Sequence, residues 1–203
     1  MKRIIVLAVL VIAAFCIYWF MVRTKAGDSG PRQQALTLKK HSEDFNKSVS
    51  EAMGAYFEMK NAFVDADTVK VKEACKKFIV LLDTIKLDEL KKDTASIFET
   101  AKANLTDVKM NAESLLKQTD ITEMRQDFRM VSEMLYPSFF NSINYEGPNM
   151  YWQNCPMAFG EGKEANWISN TKEILNPYLG KNHPEHKSDM LHCGEIKDTI
   201  KTK

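Results

Sequence analysis

From Phe45 onward the apolar residues fall at Phe45, Val49, Ala52, Met53, Tyr56, Met59 and Phe63. Steps of three and four put them on one stripe of a helix, and such a stripe must be buried against another. The pattern then repeats. Asp65 to Thr68 supplies stop and N-cap chemistry, and Val71, Ala74, Cys75, Phe78, Leu81, Leu82 and Ile85 mark a second helix. Cys75 lies on its inward stripe and reads as a small buried hydrophobe. Leu87 to Leu116 carries a sparser apolar set, predicting one long helix with a break near Asp93-Thr94. Asp120-Ile121-Thr122-Glu123 offers a capping start for a fourth helix through Met124, Phe128, Val131, Met134 and Leu135, until Pro137 bends or ends it. Four amphipathic segments on short connections predict an all-α fold, an antiparallel bundle of about four helices. Only Asn149–Asn154 and Asp189–Ile196 read as extended. Paired as a short two-stranded ladder, they would bring Cys155 and Cys193 close together.

The N-terminus is of another kind. Met1-Lys2-Arg3 precedes an unbroken apolar run from Ile4 to Val22, closed by Arg23-Thr24-Lys25. As a helix at about 1.5 Å per residue it approaches the roughly 30 Å hydrocarbon core of a bilayer. It is longer than the apolar region of a cleavable signal and lacks small residues at its exit. Residues 1–25 are therefore read as a transmembrane anchor or uncleaved signal, and 26–41 as a tether around Gly30-Pro31. Residues 42–203 are read as one helical domain with a motif region at 149–197. Lys2 and Arg3 weakly favour a cytoplasmic N-terminus, placing the body outside the cell or in the periplasm, attached to the inner membrane by one span. A net charge of +1 gives no basis for a nucleic-acid surface. Four cysteines are too few for a disulfide scaffold.

Chemistry concentrates between Met150 and Ile196, which holds Cys155, Met157, Met190, His192 and Cys193 together with Trp152, Trp167 and Tyr178. The strings Cys155-Pro156-Met157-Ala158, Trp167-Ile168-Ser169, Glu173-Ile174, Asn176-Pro177-Tyr178-Leu179-Gly180 and Met190-Leu191-His192-Cys193-Gly194 resemble an uncharacterised bacterial exported domain. That domain occurs alone and at the C-terminus of CusB-type membrane-fusion proteins of copper and silver efflux. Tyr56 to Val64, and Phe128 through Ser132 to Tyr136, resemble its helical part, so the likeness covers about residues 45–197. It implies an exported helical domain associated with heavy-metal handling, with a metal-efflux or envelope protein as partner, and no catalysed reaction. The chain departs from the pattern in a longer link, Lys181 to Ser188, which adds His183 and His186, and in Pro137 within the fourth helix.

Thiolate and thioether ligands favour Cu(I), while imidazole widens the choice to Cu(II) or zinc. The candidate metal ligands are Cys155, Met157, Met190 and Cys193, with His192 as an alternative fourth. In extended segments Cys155 and Met157 would share a face, as would Met190 and His192. The other reading is a Cys155–Cys193 disulfide, closing a loop of about 38 residues and contributing on the order of 2–4 kcal/mol. A third is that neither forms. Trp152, Trp167 and Tyr178 are expected to pack the loop onto the helices, Met53, Met59, Met130 and Met134 to pack the core, and His41 to be solvated. No H-E-x-x-H, G-x-S-x-G, phosphate-binding glycine loop or C-x-x-C is present. The expected role is binding: a membrane-anchored soft-metal protein, or a disulfide-stapled interaction module without metal.

Overall fold

The computed structural model describes residues 40–93, 95–143 and 145–201. The chain is mostly helical, with a small three-stranded antiparallel sheet. Helix α1 (Glu43–Val64) starts where Ser42 Oγ accepts the Phe45 N–H at 3.2 Å, and it buries the expected stripe from Phe45 to Phe63. Helix α2 (Thr68–Leu82) is capped by Asp67, which accepts the Lys70 N–H at 3.0 Å. Its buried face is Val71, Ala74, Cys75, Phe78 and Leu82.

The predicted break in the long third segment is present. A 3₁₀ turn at Leu87–Lys92 buries Leu90, and helix α3 then runs from Ala95 to Lys117. Helix α4 (Ile121–Glu133) begins at Asp120, whose carboxylate accepts the Thr122 and Glu123 N–H groups at 2.8 and 3.2 Å. Pro137 ends it as expected: a proline disfavours helical backbone in the residue before it, and Tyr136 is extended (φ −132°, ψ 131°) ahead of a cis peptide bond. The ring of the extended Tyr136 packs against that of Trp152 at 5.2 Å with a 59° tilt, and its hydroxyl donates to Asp198.

The sheet corrects the all-α reading. Strand β1 (Met150–Cys155) lies between β2 (Ala165–Ser169) and β3 (Glu195–Ile200). Cys155 pairs with Ala165 and Gln153 with Trp167 on one side. On the other, Asn154 pairs with Glu195 and Gln153 with Ile196, with a bulge between Trp152 and Gln153. The ladder joining the two extended segments exists, but a third strand flanks it and β3 starts at Glu195. Residues 188–192 form turns closed by Leu191 N–H to Ser188 O (3.1 Å) and Cys193 N–H to Met190 O (3.0 Å).

Hydroxyl groups tie the sheet to the helices. Ile168 N–H on β2 donates to Tyr56 Oη at 3.0 Å, and Ser132 Oγ donates to Phe128 O at 2.9 Å. Tyr56 Oη and Ser132 Oγ are 2.7 Å apart, so the tyrosine proton goes to the serine. Tyr178 Oη donates to Asn166 O at 2.5 Å. These groups are contacted at the side of β2 away from β1, a strand edge that would otherwise leave buried backbone without partners. At the far end of α1, Arg125 donates from Nε to Pro177 O (3.1 Å) and from Nη2 to Phe63 O (3.4 Å). Gly180 (φ +50°) comes so close that a Cβ there would lie 2.6 Å from Val64 O. The Asn176–Gly180 segment is thus seated on the carbonyl end of α1, where a cation is favoured.

His41 is also corrected. Its side chain is only 2% exposed, with its ring 4.3 Å from that of Phe45, because the chain before α1 lies against the 3₁₀ turn through Glu89. No helix among the described residues is long and apolar enough to cross a membrane. The proposed anchor 1–25, and all of the tether except Lys40 and His41, lie outside those residues.

Candidate functional site

Strand alternation puts Gln153 and Cys155 of β1 on the same sheet face as Ala165, Trp167 and Ser169 of β2. The segment from Asn170 to Gly194 contacts this group at several points. Gln153 Nε2 donates to Thr171 O and Glu173 O at 3.0 and 3.1 Å, and the Trp167 and Tyr178 rings meet edge to face at 5.9 Å. Asn176, fully buried, holds the returning chain: Nδ2 donates to Cys193 O at 2.8 Å, and Oδ1 accepts the Tyr178 and Leu179 N–H groups at 2.8 and 3.1 Å. Gly194 follows at φ +146°, where a Cβ would lie 2.6 Å from Asn154 O and 3.1 Å from the Trp167 ring. Only glycine fits this approach.

These contacts bring the Cys155 and Cys193 sulfurs to 3.3 Å as free thiols. Cys155 is fully buried, whereas Cys193 is partly exposed. Burial, then the Cys155 thiol beside it, pushes the Cys193 thiol up to about 11. The separation falls between two chemical states. A disulfide holds its sulfurs about 2.05 Å apart. Two sulfurs bound tetrahedrally to one ion at about 2.3 Å would lie about 3.8 Å apart. Either state needs only a small movement.

The other candidates are placed less uniformly. Met157 lies in the turn after β1 and Met190 in the turns before Cys193, so the face-sharing expected of extended segments does not apply to either pair. Both side chains are partly buried and pack on the core, as does Cys193. His192 is exposed, and its Nδ1–H donates to Ile174 O at 2.8 Å, which leaves Nε2 as the unprotonated nitrogen of the neutral ring. No three His, Cys, Asp or Glu side chains among the described residues are grouped as a metal site. His183 and His186 stack at 4.9 Å. His183 Nδ1 accepts the Glu185 and His186 N–H groups at 3.3 Å each, so this turn uses the lone pair that a metal would need. Burial, followed by Arg125 and His186, lowers its pKa. Cys75 is apart from all of these: fully buried, it donates to Ala112 O at 3.2 Å, and burial raises its thiol to about 12.

Several residues outside the candidate set shape this region. Asn176 and Gly194 fix the backbone around Cys193, and Tyr56 fixes β2. Lys60, only 2% exposed, has an ammonium that burial lowers to about 8, partly offset by Glu173 of the covering segment. Its signal is present in the spacing, since position 60 falls on the α1 stripe four residues after Tyr56.

Residues 52–144 match the family model described as Protein of unknown function (DUF3347). The match runs from α1 to the end of the helical part and stops before β1, so it includes neither Cys155 nor Cys193. No curated protein and no solved structure matches the chain.

Proposed function

We propose that this chain is an antiparallel helical bundle that presents a soft-metal site at one face of its sheet, with Cys155 and Cys193 as thiolate ligands and Cu(I) as the preferred ion. The 3.3 Å approach of the two sulfurs carries this reading. Thiolates select Cu(I) or zinc over harder ions, and the soft donors nearby in sequence are the Met157 and Met190 thioethers, with the His192 ring as the alternative fourth ligand. Thioethers favour Cu(I) over zinc. The protein would act as a membrane-anchored, exported binding protein that buffers copper or passes it to an efflux assembly, not as an enzyme. The anchoring rests on the apolar run Ile4–Val22.

A second reading takes the same sulfurs as a structural disulfide that staples an envelope interaction module. It is favoured by the short sulfur separation, which is closer to contact than a shared ion requires. Copper competition separates the two. The full chain in mild detergent, kept reduced, is loaded with Cu(I) and challenged with a competing chelator. Stoichiometric retention that is lost in Cys155→Ser and weakened in Met157→Leu is the expected result. A fully reduced wild type that surrenders all its copper would overturn the metal role.

A further inference from the structure

The two thiols are not equivalent. Cys155 ends the central strand, is paired with Ala165 of β2, and has no exposed surface. Cys193 sits at the junction of the last turn and β3, partly exposed, beside a glycine at positive φ. We propose that Cys155 and Cys193 form a reversible dithiol–disulfide couple that exchanges with external disulfides through Cys193 Sγ, with Cys155 as the resolving thiol.

The steps balance. The Cys193 thiolate attacks one sulfur of an external disulfide, forming a mixed disulfide and releasing one external thiolate. The Cys155 thiolate, already 3.3 Å away, attacks Cys193 Sγ and expels the second external thiolate. The two protein protons pass to the two departing thiolates, so the protein dithiol is oxidised and the external disulfide reduced. An oxidant of this class meets the partly exposed Cys193 more readily than the buried Cys155, whereas the second step is intramolecular and needs only a small closing motion. Cys75 does not compete, being buried and hydrogen-bonded to Ala112 O. Oxidation removes both thiolates from any metal, so the couple would gate copper binding. That consequence alone rests on the metal reading; the exchange does not.

The test treats the reduced, metal-free full chain with glutathione disulfide and follows thiol release and peptide masses. Wild type is expected to release two glutathione thiols per chain, keep no adduct and gain a Cys155–Cys193 disulfide. In Cys155→Ala one glutathione should remain on Cys193, and in Cys193→Ala the reaction of Cys155 should be about tenfold slower or worse, following exposure. A lasting adduct on wild type, or equal rates for the two single variants, overturns the proposal. Should either variant lose its circular dichroism signature, early acid quenching of wild type identifies the attacked sulfur. An adduct trapped on Cys193 supports the assignment and one on Cys155 sinks it. Copper retention is read separately: exchange without copper binding removes the metal role and leaves the couple standing, and copper binding with a lasting adduct does the reverse.

Discussion

Lys60→Met should stabilise the protein. The lysine lies on the buried stripe of α1 at 2% exposure, and burial lowers its ammonium from 10.5 to about 8, with Glu173 offsetting part of the cost. A difference of about 2.5 pK units at about 1.36 kcal/mol each corresponds to roughly 3 kcal/mol of native-state penalty. The direction follows from the folded value lying below the unfolded one. Below pH 8 both states hold the proton and the full penalty applies. Between about pH 8 and 10.5 the unfolded chain holds a proton that the native chain has lost, so stability rises with pH and the penalty fades. Methionine keeps the unbranched shape and removes the charge. Urea denaturation of both proteins from pH 7 to 10.5, followed by circular dichroism, should show the variant more stable by up to about 3 kcal/mol at pH 7, the gap closing toward pH 10.5. Cysteines and tyrosines that titrate in this window are common to both and drop out of the difference. A variant less stable than wild type at pH 7, or a gap independent of pH, would mean that the buried ammonium does not destabilise the native state.

Two other substitutions probe the supports of the thiol pair. Tyr56→Phe leaves the Ile168 N–H without its acceptor and should cost about 1–3 kcal/mol in denaturant midpoint analysis, with faster amide exchange at Ile168. Gly194→Ala places a Cβ 2.6 Å from Asn154 O at a φ of +146°, so thermal unfolding should reveal a loss of about 2–4 kcal/mol. In the same variant thiol labelling should show Cys155 more accessible, since β3 is displaced from β1.

The helical body is legible in the sequence because burial of one face imposes a period of three to four residues, and the stripes on α1 and α2 are those expected. The break at Asp93, the cap at Asp120 and the stop at Pro137 are local chemistry, written in the residues that perform it. The meeting of Cys155 and Cys193 is legible in part: Met150–Asn154 is extended as expected, but of Asp189–Ile196 only Glu195 and Ile196 lie in a strand. Strand β2 is not legible. Ala165, Trp167, Ile168 and Ser169 are all buried, so the strand has no polar face and no alternation to read. Nor do Met157 and Met190 reveal their turns, which close over three residues through backbone bonds that most residue types can make, Gly160 N–H to Met157 O and Cys193 N–H to Met190 O.

What escapes sequence reading most completely is the set of polar groups that position the pair. Tyr56 and Ile168 are 112 residues apart, and Arg125 reaches Phe63 and Pro177 across 62 and 52 residues. Each looks ordinary where it stands: Tyr56 as one more stripe residue, Arg125 as a surface charge in the second turn of a helix, Asn176 as a turn former. Their importance comes from where they reach. Tyr56 and Ser132 hold β2, β2 holds β1, and β1 carries Cys155; Arg125 bonds the α1 end to Pro177 beside Asn176, and Asn176 holds Cys193. The two sulfurs are therefore positioned by separate routes from one helical scaffold. The residues matched by the family model supply Tyr56, Ser132 and Arg125, while the thiols lie beyond it. The helical body can thus serve as a rigid mount whose geometry decides how closely two distant cysteines approach, and the chemistry of the pair depends on residues that never touch sulfur.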